Sequence, residues 1–129
     1  MKHLKVFIVD ESPFFLRWLR RLVPARPEIQ IVGEAKDPLT ALEYVRKTKP
    51  DVVIMDFKIQ WRFGIDLARG LGKVRPIPQV IMLTSDIWRR DEWTETGRVD
   101  FLIDKIREYS RIPEILTRMI GPTLEAGIA

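Results

Sequence analysis

Four short apolar runs in this chain each stop on polar side chains. Val6–Val9 is followed by Asp10 and Glu11, and Val52–Met55 by Asp56. Val80–Leu83 is followed by Thr84, Ser85 and Asp86, and Phe101–Ile103 by Asp104 and Lys105. Apolar residues that run consecutively rather than alternating read as strands covered on both faces. Such strands belong to parallel sheets, in which right-handed crossovers carry helices to either side. Parallel strands all point one way, so their polar ends gather along a single edge. Open α/β sheets bind ligands at that edge.

Strand and helix signals alternate throughout. Strand β1 covers residues 4–9. Helix α1 has Ser12 as N-cap and Pro13 at N1, and runs up to Pro24 with Phe15, Leu19, Leu22 and Val23 at helical spacing. Strand β2 is IQIVGEA, residues 29–35. Helix α2 follows, with Asp37 as N-cap, Pro38 at N1 and Leu42 and Val45 facing inward. Strand β3 covers 52–56; helix α3 opens at Gly64, turns Ile65, Ala68 and Leu71 inward and ends near Gly72. Strand β4 is 79–84, helix α4 about 87–96 and strand β5 about 100–103. Helix α5 has Pro113 in its first turn and ends near Gly121.

Five βα units without a repeat or linker predict one α/β domain over residues 1–129, with its core over about 4–120 and a short tail at 121–129. The expected architecture is a doubly wound, five-stranded parallel sheet of flavodoxin type. Its strand order 2-1-3-4-5 sets β1 beside β3 at the switch point. Asp10 and Glu11 would then lie next to Asp56.

Composition narrows the functional classes. Apolar residues make up 46% of the 129, enough for a core and too many for a disordered chain. There is no cysteine, which excludes disulfides and thiolate metal sites and suits a reducing compartment. The apolar runs are too short to span a bilayer and the N-terminus has no signal-peptide pattern, so a cytoplasmic protein without membrane contact is expected. The net charge of +4 is spread over helix faces, and GPTLEAGIA after residue 120 is too short for a DNA-binding unit. Direct nucleic-acid binding is therefore not expected. His3, the single histidine, precedes β1 and is expected to play no part in chemistry.

Three carboxylates at close range repel one another unless a cation neutralises them. Oxygen-only ligands favour a hard ion such as Mg²⁺. Neutralising one acid, as in Asp10→Asn, would then relieve repulsion and leave the metal-free fold at least as stable. Lys105 brings an ammonium and Thr84 a hydroxyl to the same edge. A cation, an ammonium and a hydroxyl together suit a phosphoryl group, and a carboxylate can act as its nucleophilic acceptor.

The ordered set VFIVDES, VVIMDF, VIMLTS and FLIDK, with Gly64 after the third, resembles the response-regulator receiver domains of two-component signalling, similar to the chemotaxis protein CheY. The resemblance covers about residues 4–120. It implies Asp56 as phosphoacceptor, with Thr84 bonding the phosphoryl group and Lys105 pairing with it. It also implies Mg²⁺ held by Asp10, Glu11, Asp56 and the backbone carbonyl of Lys58. A histidine kinase or histidine phosphotransfer protein would be the donor. A downstream protein would read the state on the α4-β5-α5 face. Such a domain is no enzyme beyond its own phosphoryl transfer and hydrolysis.

Several positions depart from the family pattern. Glu11 stands where Asp is more usual, Gln60 where Pro is frequent, and Ile106 where many receivers have Pro after the Lys. The aromatic usually found three residues before the Lys is Leu102 here, with Phe101 on the opposite face. These departures keep open a receiver-like docking module that works without phosphate. A small-molecule binder of flavodoxin type is a third reading, set against by DESPFF where a phosphate-cradling loop would follow β1. Trp88 and Trp93, five apart, cannot share one helix face, and Trp61 sits in a loop. On α1, Phe15, Leu19 and Leu22 fit the core face. Phe14 and Trp18 share another, beside the acidic edge, and read as a docking patch for a kinase.

Overall fold

The computed structural model describes residues 3–59, 62–85 and 99–121. Strands β1 (Leu4–Val9), β2 (Ile29–Ala35), β3 (Val52–Asp56), β4 (Gln79–Thr84) and β5 (Phe101–Asp104) form one sheet in the order β2-β1-β3-β4-β5. Every neighbouring pair is parallel. The fold is the doubly wound one expected. Gln60, Trp61, Trp88, Trp93, helix α4 and the tail beyond Gly121 lie outside the described residues.

Helices α1 (Pro13–Leu22) and α2 (Pro38–Thr48) start as their caps dictate. Ser12 Oγ accepts from the Phe15 amide at 3.2 Å, and Asp37 Oδ1 from the Thr40 amide at 2.8 Å. Pro13 and Pro38 stand where a missing N–H costs nothing. Helix α3 covers Gly64–Leu71 and α5 covers Arg111–Ile120.

The run Val52–Met55 is continuous because each residue feeds one of two cores. Val53 and Met55 join Phe7, Val9, Ala41, Val45, Ala68, Leu71 and Met82 under α2 and α3. Val52 and Ile54 join Val6, Ile8, Leu16, Leu19, Ile81, Ile103 and Leu116 under α1 and α5. On α1 the fully buried residues are Leu16 and Leu19, joined by Val23 at its C-cap, while Phe15, Trp18 and Leu22 are only partly covered. Leu19 and Val23 are core as expected, while Leu16 takes the fully buried place expected of Phe15. Phe14, Phe15 and Leu16 are consecutive, so helical spacing admits either phase, and a contact described below draws the Phe15 ring to the sheet edge.

β1 and β2 carry one irregularity. Val6 pairs with Ile31 but Phe7 pairs with Gly33. A Cβ added at Gly33 would lie 2.6 Å from Phe7 Cε2, closer than van der Waals contact with a ring that is itself fully buried. Gly33→Ala should therefore cost about 1–3 kcal/mol by overpacking. Urea unfolding checks this, and an unchanged midpoint would mean that the Phe7 ring moves aside freely.

Candidate functional site

Side-chain parity delivers three charged groups to one place. Leu4, Val6 and Ile8 face the α1/α5 core, and Asp10 continues their parity. Val52 and Ile54 face the same core, and Asp56 is next in that series. Phe101 and Ile103 do likewise, and Lys105 follows. Lys105 Nζ donates to Asp10 Oδ2 at 2.9 Å and stands 3.2 Å from Asp56 Oδ1. Thr84 extends the opposite parity, that of Val80 and Met82, and is buried.

Asp10 is 1% exposed and fully engaged. Its Oδ1 accepts from the Ser12 amide at 2.9 Å, which fixes the turn into α1, while Oδ2 takes Lys105. The Asp56 carboxyl is pushed up to about 6, first because burial penalises its charge. The Lys105 ammonium opposes that rise and the Asp10 charge adds to it. The Phe57 amide beyond Asp56 donates to the Leu83 carbonyl at 2.8 Å, which keeps the strand end closed.

Lys105 is held at both ends. Its amide donates to the Thr84 carbonyl at 2.8 Å, and its ammonium lies 4.0 Å from the centroid of the Phe15 ring. The loop around it is stitched by two acids that sequence reasoning did not assign to the site. Asp104 Oδ1 accepts from the Ile106 and Arg107 amides, both at 2.9 Å. Glu108 Oε1 accepts from the Asp104 amide at 2.9 Å and its own amide donates to the Asp104 carbonyl. The Arg107 and Ile106 amides hold the Asp104 carboxyl below its ordinary value. The D-x-x-x-E spacing was the signal available in the sequence.

The expected trio of carboxylates is therefore a pair with an ammonium between them. Glu11 is exposed, as is Lys58. Among the described residues, no three His, Cys, Asp or Glu side chains converge as a metal-binding group. Asp10 is also the counter-ion of Lys105, so neutralising it would remove an ion pair as well as relieve its repulsion of Asp56. The oxygen-only donor set still fits a hard cation. Asp56 is a desolvated carboxylate whose raised pKa reports incomplete compensation, and a second cation would supply the rest. Leu102 is buried in the α2/α3 core and Phe101 is partly buried on the other face, as parity requires.

The family model described as the response regulator receiver domain matches residues 6–115. The chain belongs to the response regulator receiver family. This receiver is 34% identical over 106 residues to a protein-glutamate methylesterase/protein-glutamine glutaminase of Nitrosomonas europaea, covering 79% of the chain and 29% of that protein. It is 35% identical over 141 residues to the protein of the same name from Methylobacillus flagellatus, covering 92% of the chain and 39% of that protein. The chain thus spans roughly a third of the length of these curated relatives, and their activity is a property of the longer proteins. Among solved structures, the response regulator domain of Thermotoga maritima CheB superposes with a TM-score of 0.74 at 25% identity, covering 99% of this receiver and 98% of that chain. The isolated receiver of Salmonella enterica RcsB gives 0.80 at 19% identity, covering 92% and 89%, a likeness of fold. No helix among the described residues is long and apolar enough to cross a membrane.

Proposed function

We propose that this receiver is a signalling switch that accepts a phosphoryl group on Asp56. The observation that carries the proposal is the Lys105 ammonium set between Asp10 and Asp56 at the carboxyl ends of β1, β3 and β5. An Asp56 oxygen attacks phosphorus as the phosphorus–nitrogen bond of a donor phosphohistidine breaks, and the imidazole leaves. The donor is a histidine kinase or a histidine phosphotransfer protein. Lys105 then turns from the carboxylate to the new phosphoryl oxygens, and Thr84 offers its hydroxyl from the neighbouring strand end. Asp10, Glu11, Asp56 and the Lys58 carbonyl would hold Mg²⁺. That ion would neutralise charge where carboxylate and phosphoryl oxygens meet. Movement of Thr84 and Lys105 toward the phosphoryl group would bias the α4-β5-α5 face between two states read by a downstream protein.

The α1 aromatics bear on the donor. Phe14 is 72% exposed, and Ile106, next to Lys105, is 71% exposed. Trp18 is not on that open rim: it lies between the Phe15 and Tyr109 rings. We therefore assign the docking patch expected on Phe14 and Trp18 to the exposed Phe14 and Ile106 instead.

The exposure of Glu11 favours a second reading, a docking module that works without phosphate. Beryllofluoride with Mg²⁺, a stable phosphoryl mimic, separates the two. Amide resonances of Thr84 and Lys105 should shift on titration in wild type and stay in place in Asp56→Asn. A wild-type spectrum unchanged by the mimic would favour the docking module.

A further inference from the structure

The Phe15 ring has no role in the chemistry described above, yet it sits against the one ammonium that chemistry needs. Lys105 Nζ is 4.0 Å from its centroid, in the range of a cation–π contact. The ring is itself held. Trp18 stands 4.9 Å from Phe15 with the planes tilted by 57°. Tyr109 stands 4.7 Å from Trp18 at 73°, nearly edge-on. Both are geometries that aromatic pairs favour. Tyr109 belongs to the same β5–α5 loop as Lys105, so the ladder leaves that loop through the ammonium and returns to it four residues later.

We infer that Phe15 is a positioning residue for phosphoryl transfer, holding the Lys105 ammonium beside Asp56 through the face of its ring. The inference rests on Asp56 being the phosphoacceptor. A ring face attracts the cation but accepts no strong hydrogen bond. The ammonium is thereby kept in place and partly shielded from water while its N–H donors remain for oxygen ligands. In the resting protein those ligands are Asp10 and Asp56. During transfer a phosphoryl oxygen takes the place of an Asp56 oxygen, with no other acceptor among the described residues to displace. A third carboxylate at position 15 would hold the ammonium too tightly, and an aliphatic residue would leave it to water. The buttress of Trp18 and Tyr109 limits how far the ring can swing away. Leu16 takes the buried place expected of Phe15 for the same reason, because Leu16 fills the core while Phe15 serves the edge.

The test compares wild type, Phe15→Leu and Phe15→Tyr in the full chain. Leu keeps an apolar side chain of similar bulk without a π face, and Tyr keeps the face. In lysine-labelled protein, ring shielding should move the Lys105 ε-methylene signal upfield in wild type and Phe15→Tyr, and that displacement should vanish in Phe15→Leu. Lys105→Arg identifies the signal by its loss. The rate of labelling by acetyl phosphate with Mg²⁺ should fall in Phe15→Leu by between about twofold and thirtyfold. It should return to within about twofold of wild type in Phe15→Tyr. A wild-type rate in Phe15→Leu overturns the inference. So does a Phe15→Tyr protein as slow as Phe15→Leu, because the ring would then matter only as packing. Absence of label in wild type and all variants alike would remove the phosphoacceptor reading itself, a pattern distinct from a defect in Phe15→Leu alone.

Discussion

Lys105→Met should destabilise the folded protein by about 3 kcal/mol at neutral pH, the low end of the cost of orphaning a buried charge. Asp10 is 1% exposed and its Oδ2 takes the ammonium at 2.9 Å, with Asp56 at 3.2 Å from the same nitrogen. Met preserves most of the aliphatic stem, so the loss isolates the charge. Two carboxylates would then face each other without a counter-ion in a desolvated setting. They would respond by taking up protons, so the penalty should shrink as the pH falls toward the ordinary carboxylate range. Urea unfolding at several pH values reads this directly. A midpoint equal to wild type at neutral pH would mean that the ammonium is solvated rather than serving as the counter-ion.

Asp56→Asn should act in the opposite direction. The Asp56 carboxyl is pushed up to about 6 from an ordinary 3.8, so the folded state holds this proton more tightly than the unfolded chain does. The group's contribution to stability is complete below about pH 4. It declines as the pH rises through the interval up to 6, and is lost above it. At pH 8 the ionised carboxylate therefore costs the fold about 2–3 kcal/mol, reduced somewhat by its access to water. Asn removes the ionisation. The variant should be more stable than wild type above pH 7, with the difference closing as the pH falls from about 6 to about 4. A variant less stable than wild type at pH 8 would show that the Lys105 pairing outweighs desolvation. The two substitutions touch the same cluster and should move stability in opposite senses. An ordinary structural salt bridge would lose stability with either.

The fold was legible because consecutive apolar residues and capped helices are local signals. Val52–Met55 could only be a strand covered on both faces, and Ser12-Pro13 and Asp37-Pro38 announced their helices three residues ahead of the bonds they make. The candidate site was legible as a set of strand ends. Its internal arrangement was less so. Parity along β1, β3, β4 and β5 puts Asp10, Asp56 and Lys105 on one side and Thr84 on the other, a division that strand ends alone do not show. Neighbours in sequence said only that Glu11 was near Asp10. A side chain one residue further along a turning chain leaves the cluster, and Glu11 is exposed for that reason. Phe15 was assigned to the core because spacing cannot distinguish two adjacent helical phases. The deciding contact comes from Lys105, ninety residues away in the chain. Asp104 reads only as one more polar strand end, and Glu108 only as an acid spaced D-x-x-x-E from it, because both bond backbone amides, which composition and charge do not display.

The central claim is that Asp56 carries the phosphoryl group, and the intact mass of the protein after incubation with acetyl phosphate and Mg²⁺ tests it most directly. Wild type should gain the mass of one phosphoryl group and Asp56→Asn should gain none. A wild type that gains nothing, or an Asp56→Asn protein that gains as much as wild type, would contradict it.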